Sequence, residues 1–198
     1  MEKTKGLLLF WACCFFLFGM VTGEELRLDI ETGKEGKNET VKEGKNLVIN
    51  PGFENGIRGW YQPKGKIDTE EFHSGSASLK IDIPEGIQLE WFGGYTDDIP
   101  VEPNTKYKIS GWIQGRDIHG GRGASISYGF YDKEKKVLSY AHISEGLFGT
   151  FQWKKIESVI QSPSGAVCVK IGTPYMAYGT VWFDDISLTK EEKFSAQD

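Results

Sequence analysis

The feature that most limits what this chain can become is its side-chain rhythm. From residue 47 onward, apolar and polar residues alternate in short runs broken by Gly, Pro, Asn and Asp. Ser78-Leu79-Lys80-Ile81-Asp82-Ile83 alternates and stops at Pro84, and Thr105 to Ile113 alternates again after the turn Glu102-Pro103-Asn104. A period of two puts successive side chains on opposite faces of an extended strand, so one face can be buried while the other stays wet. Further runs cover 124–131, 137–143, 153–160, 167–171 and 180–188. No segment sustains a 3.6-residue period with a cap, so very little helix is expected. Roughly seven to nine such strands predict an all-β domain, a β-sandwich of the jelly-roll kind.

Two stretches organise that domain. Asn46-Leu47-Val48-Ile49 reads as a short strand running into Asn50-Pro51-Gly52, a corner made by the fixed φ of proline and the freedom of glycine. Phe53, Glu54 and Trp60 follow it. Val181-Trp182-Phe183-Asp184-Asp185-Ile186-Ser187-Leu188 reads as a late strand carrying two carboxylates, where a strand usually carries none. The two are expected to meet as neighbours. Parity puts Tyr107, Ile109 and Ile113 inward and Lys108, Ser110 and Trp112 outward. Likewise Val167, Val169 and Ile171 point inward, leaving Cys168 and Lys170 outward. Ile126, Tyr128 and Phe130 point inward, leaving Ser125, Ser127, Gly129 and Tyr131 to floor and border an outer face.

At 198 residues the chain holds one domain with a proper core. Its formal net charge of −5, with no basic stripe, excludes nucleic acid as a natural partner. Lys3 and Lys5 precede an uncharged run from Leu7 to Val21, and Val21-Thr22-Gly23 fits a cleavage site, so residues 1–23 read as a secretory signal peptide. The same run could stay as an anchor, although it is short for a membrane span. Residues 24–45 read as a charged flexible linker, with the sequon Asn38-Glu39-Thr40 inside it, and 191–198 as a polar tail. The expectation is a secreted protein, free or associated with the cell surface. Cys13 and Cys14 fall in the leader, which leaves Cys168 alone and no internal disulfide.

Catalytic patterns are scarce. His73, His119 and His142 form no His-Glu-x-x-His, and there is no Gly-x-Ser-x-Gly elbow or phosphate loop. Asp97-Asp98 and Asp184-Asp185 are adjacent, and adjacent strand residues face opposite ways, so neither pair can flank one glycosidic bond. The chain is expected not to be an enzyme. A hard cation is the better-founded chemistry: Glu54, the turn His73-Ser74-Gly75-Ser76 and Asp185 can converge if the first and last strands are neighbours. The plain alternative is that these carboxylates are solvated.

Asn46 to Glu54 with Gly59-Trp60, then His73 to Leu79, then Pro103 to Tyr107 before Ser110-Gly111-Trp112-Ile113, and finally Phe183 to Ile186 before Leu188, resemble a carbohydrate-binding module. The pattern is similar to the family 4/9 and family 22 modules, whose fold is a galactose-binding-like jelly roll, and it spans residues 46–190. The resemblance implies a structural calcium at the Gly52 and Gly75 carbonyls and the Glu54 and Asp185 side chains. It also implies a glycan lying across one sheet. A strand after Pro84 would supply Trp91 and the strand ending at Ile143 would supply Tyr140; Trp112 and Lys170 follow from outward parity, with Gln88 or Lys170 bonding hydroxyls. Trp91 and Trp112 remain open between ligand stacking and core, and a bulge at Gly93-Gly94 would swing Trp91 inward. Trp60 and Trp182 are assigned to packing. The expected protein is a monomeric, non-catalytic polysaccharide binder; the competing expectation is a surface protein-interaction module of the same fold.

Overall fold

The computed structural model describes residues 44–61 and 64–191. The signal peptide, all but the last two residues of the linker, and the tail beyond 191 lie outside the described residues. Within them the chain forms eleven strands and no helix: β1 (Trp60–Tyr61), β2 (Lys66–Asp68), β3 (Ser78–Ile83), β4 (Tyr95–Thr96), β5 (Ile99–Pro100), β6 (Lys106–Ala124), β7 (Ser127–Tyr131), β8 (Val137–His142), β9 (Gly149–Gln161), β10 (Cys168–Gly172) and β11 (Tyr175–Lys190). One sheet has the order β1-β4-β10-β7-β8, with β5 also beside β10; the other runs β2-β3-β11-β6-β9. Every pairing is antiparallel. The result is a β-sandwich jelly roll.

The alternation in the sequence builds the core directly. Leu79, Ile81 and Ile83 of β3, Ile109 and Ile113 of β6, and Val181, Phe183 and Leu188 of β11 project from the second sheet. Phe130 of β7 and Val169 and Ile171 of β10 meet them from the first, and all are essentially inaccessible. Each such side chain contributes about 1.5–3 kcal/mol by leaving water.

Four expectations change. Asn46 to Ile49 is not a strand. Asn46 instead ties the segment to β11 with its side chain, donating from Nδ2 to the Ile186 carbonyl and accepting at Oδ1 from the amides of Val48 and Leu188, while Leu47 N bonds the Leu188 carbonyl. The positive φ values of the corner fall on Asn50 (53°) and Phe53 (59°), not on Gly52. Asn50 tolerates this because its amide bonds the Gly56 and Arg58 carbonyls and accepts from Asn55 N. Val167 is 44% exposed rather than inward, because the turn closed by Ala166 N on the Pro163 carbonyl buries Ala166 and ends before β10 begins. No strand follows Pro84: residues 84–91 form a loop, and only Phe92 pairs, as a single bridge to Tyr175.

Candidate functional site

Three places collect the polar and aromatic side chains that the core does not use. The first is an acidic corner. A Cβ placed on Gly52 would lie 3.2 Å from Asp184 Oδ1 and 3.5 Å from both Asp185 Oδ1 and Glu54 Oε1. Three carboxylates therefore share the space that glycine leaves free, and close approach is why glycine stands there. Adjacent Asp184 and Asp185 ought to face opposite ways, but the ladder slips between Asp184 and Ser187, and Asp185 takes φ +48°. That bulge swings the second carboxylate to the side of the first.

The partners in the corner are mostly donors. Asp184 is fully buried; its Oδ2 accepts from the His73 and Ser74 amides at 2.7 and 3.2 Å, and its Oδ1 from Asp185 N at 2.7 Å. Burial pushes its carboxyl up to about 6 and the Asp185 charge adds to this, against the pull of those amides. Asp185 accepts from Ser74 Oγ at 2.9 Å and meets His73 Nδ1 at 2.7 Å. Glu54 is held by the Ser76 hydroxyl and amide, which keep it below the usual carboxylate range. Gly75, at φ +67°, has no room for a side chain beside Glu54. The 73–76 turn thus presents amide N–H groups to the carboxylates, whereas carbonyls were expected.

Among the described residues no three His, Cys, Asp or Glu side chains form a ready metal cage. The donor set nevertheless fits a hard cation, because it is oxygen-rich and includes a buried carboxylate, Asp184, that no lysine or arginine answers among the described residues. Such an ion would draw on Glu54, Asp184 and Asp185, with backbone oxygens of the corner completing its shell. Asp184 was not among the expected ligands, and no sequence signal announces the bulge that brings it in.

The second place is the outer face of the first sheet. Directly opposed residues in an antiparallel ladder share a face. Gly129 lies opposite both Lys170 and Tyr140, and Ser127 lies opposite both Gly172 and His142. Tyr95 continues the second row opposite Gly172, and Tyr61 follows it, with the two tyrosine rings 5.2 Å apart. Small residues therefore floor a groove of about 430 Å³ between aromatic walls. A Cβ at Gly172 would reach within 2.7 Å of Ser127 Oγ, so the floor has no space for larger groups.

Trp91 and Tyr140, 47% and 58% exposed, border this groove. Trp91 is not swung inward: Gly93 takes φ +106°, where a side chain would collide with the Thr173 carbonyl, and the Phe92–Tyr175 bridge fixes the loop beside it. His142 stands 6.1 Å from the Trp91 ring and 5.6 Å from that of Tyr140. Lys170 Nζ lies over the rings of Tyr95 and Tyr131, at 5.1 and 5.8 Å, and 3.5 Å from Asp98. The structure thus brings Trp91, Tyr140 and Lys170 together. Gln88 is exposed in the 84–91 loop, outside the groove lining. Tyr95 and His142 were missed, although His142 was legible two residues after Tyr140 on the same strand.

Trp112 belongs to a third place, the outer face of the second sheet. Parity was right about its outward direction, but β6 is in the other sheet. There its ring stacks on His73 at 3.7 Å, with the Trp153 edge 5.8 Å from the same imidazole.

A family model described as a carbohydrate binding domain, of the 4/9 type, matches residues 45–172, more than half of the chain. No curated protein matches the sequence. Among solved structures, the fold is similar to the CBM22-1 xylan-binding domain of Paenibacillus barcinonensis Xyn10C, at 17% identity and a TM-score of 0.57, covering 77% of this chain and 99% of that one. It is also similar to a Family 16 carbohydrate binding module, at 19% identity and a TM-score of 0.55 over 73% of this chain and 99% of that one. A third likeness is to TmCBM61 in complex with β-1,4-galactotriose, at 20% identity and a TM-score of 0.50 over 74% of this chain and 99% of that one. At such identities these likenesses carry the fold.

Proposed function

The chain belongs to the carbohydrate binding domain family, and from that premise we propose that it binds polysaccharide, without catalysis, in the groove on the outer face of its six-stranded sheet. One observation carries the placement: on this face exposed aromatic rings border a floor of Gly129, Ser127 and Gly172. Pyranose rings offer flat C–H faces that bury well against such rings, at about 25 cal/mol per Å² of apolar area. The glycine floor lets the sugar approach the sheet, and the Lys170 ammonium and Ser127 hydroxyl can bond its hydroxyls. Xylan and galactotriose, named for two of the similar structures, set the class of ligand to try first.

A structural calcium at the acidic corner belongs to the same proposal. Its support is the convergence of Glu54, Asp184 and Asp185 on Gly52; when bound, the ion would offset their charge. The leader 1–23 supports a secreted protein, free or held at a surface. A glycan-array screen of the purified protein, with and without chelator, tests the function. Binding to β-linked polysaccharides that Trp91→Ala weakens is the expected result. An array with no bound glycan would overturn it in favour of a protein-contact module.

A further inference from the structure

The groove does not end at Trp91. Past the indole it continues into a second hollow of about 270 Å³, which shares Trp91 and Pro174 with the first and is lined by His142 as well. Arg122 and Glu145 line this extension. Arg122 is flanked by Gly120, Gly121 and Gly123, all at positive φ, so the chain leaves regular strand geometry where it presents this side chain. The mutual bonds of Ala124 and Leu147 hold the 143–148 turn against it.

Charge in the continuous trough runs against charge in the chain. The protein is formally −5, yet the side chains lining the two hollows include three cations, Lys64, Lys170 and Arg122, against one carboxylate, Glu145. Two of the cations are answered from outside the lining, Lys64 by Glu90 at 2.9 Å and Lys170 by Asp98 at 3.5 Å. Arg122 is exposed and makes no ion pair or side-chain hydrogen bond among the described residues. Burial, and after it the Arg122 charge, lower the His142 pKa, so the imidazole beside it is neutral at pH 7 and competes for no anion.

We propose that the Arg122 hollow is a subsite for a carboxylated sugar, so that the preferred ligand is an acidic polysaccharide, a chain of pyranose rings bearing uronic acid groups. This rests on the groove being a glycan site. A guanidinium meets a carboxylate through two parallel N–H bonds, a geometry that neither a hydroxyl nor water reproduces. Trp91 offers its ring to the sugar that carries the acid. Glu145 is the opposing charge in the hollow and tempers the preference.

The test is calorimetric titration of the full chain with matched oligosaccharides at low and high salt. The probes are xylohexaose and a xylo-oligosaccharide of equal length bearing glucuronic acid, together with oligogalacturonate and cellohexaose. The carboxylated chain is expected to bind about tenfold tighter than its neutral match at low salt, with the ratio shrinking as salt screens it. Arg122→Gln should collapse the ratio to near one, Arg122→Lys should keep part of it, and Glu145→Gln should raise it. Lys108→Gln, on the opposite sheet, should leave it unchanged. Neutral chains bound as tightly as acidic ones by the parent, or a ratio indifferent to Arg122→Gln in a variant with parental melting, would overturn the subsite while leaving the groove intact. Failure of the parent to bind either kind would overturn the glycan reading itself and the subsite with it.

Discussion

The outer faces of the two sheets make an instructive pair, because both carry aromatic side chains and cations and yet only one has free rings. On the second sheet, Trp182 is 1% exposed. Lys80 Nζ and Arg116 Cζ lie 5.2 and 4.9 Å from its ring, and its Nε1 donates to Asp68 Oδ2 at 2.9 Å. Trp112 is stacked on His73, which Asp185 holds in turn. These rings already have partners on the faces a sugar would use. On the first sheet, Trp91 and Tyr140 stand over a floor of glycine and serine with about half of each exposed. Aromatic count alone therefore does not locate a binding face; what matters is whether the rings are already spent on the protein.

The comparison is broken most forcefully at Trp182. Trp182→Ala removes a buried aromatic and its hydrogen bond, and should cost about 3–5 kcal/mol in chemical denaturation. A small loss would mean that the second face is not structurally committed. Next in size is the acidic corner. If calcium is held there, excess chelator should remove about 2.7 kcal/mol of stability at one hundred times its Kd, and Asp184→Asn should abolish the chelator dependence. A melting curve indifferent to chelator would leave the three carboxylates as a self-contained hydrogen-bonded cluster.

Acid sharpens the contrast from the same side. Burial works to raise the Asp68 carboxyl, but the Trp182 indole, the Glu70 amide and Lys80 overcome it and hold the group at about 2, below its ordinary 3.8. A folded pKa lowered in this way gives stability that is complete above the unfolded value. It is lost as pH falls from about 3.8 toward about 2, and it amounts to roughly 2 kcal/mol. Asp68→Asn should flatten that part of the acid limb in pH-dependent melts. The smallest effect belongs to the open face. Trp91→Ala should weaken glycan binding about tenfold, or about 1.4 kcal/mol, with the melting temperature nearly unchanged. Trp112→Ala should do the reverse, lowering the melting temperature and sparing affinity.

Much of this architecture is legible in the residues. Period-two alternation in 78–83 and 107–113 places Leu79, Ile81, Ile109 and Ile113 in the core, because burial of one face dictates which residues can be apolar. Lys170 was legible as outward-facing, Tyr140 followed only from the resemblance, and the register across Gly129 brings them together. Parity stops short of naming the sheet: both sheets have an outer face, and Trp112 obeys the alternation while belonging to the wrong one. Asp184 escaped for a different reason. Alternation assumes an unbroken ladder, and the slip after Asp184 with a left-handed Asp185 breaks it where the carboxylates gather. Gly52 was recognised as special for its φ, but its role is closeness, which depends on three side chains far away in sequence.

The central claim is that glycan lies on the first sheet against Trp91 and not on the second against Trp112. Titrating the isotopically labelled protein with xylohexaose while following the indole N–H resonances tests it most directly. Binding should shift the Trp91 signal progressively and leave those of Trp112, Trp153 and Trp182 in place. Movement of Trp112 and Trp153 with Trp91 unmoved would contradict the account and put the sugar on the other sheet.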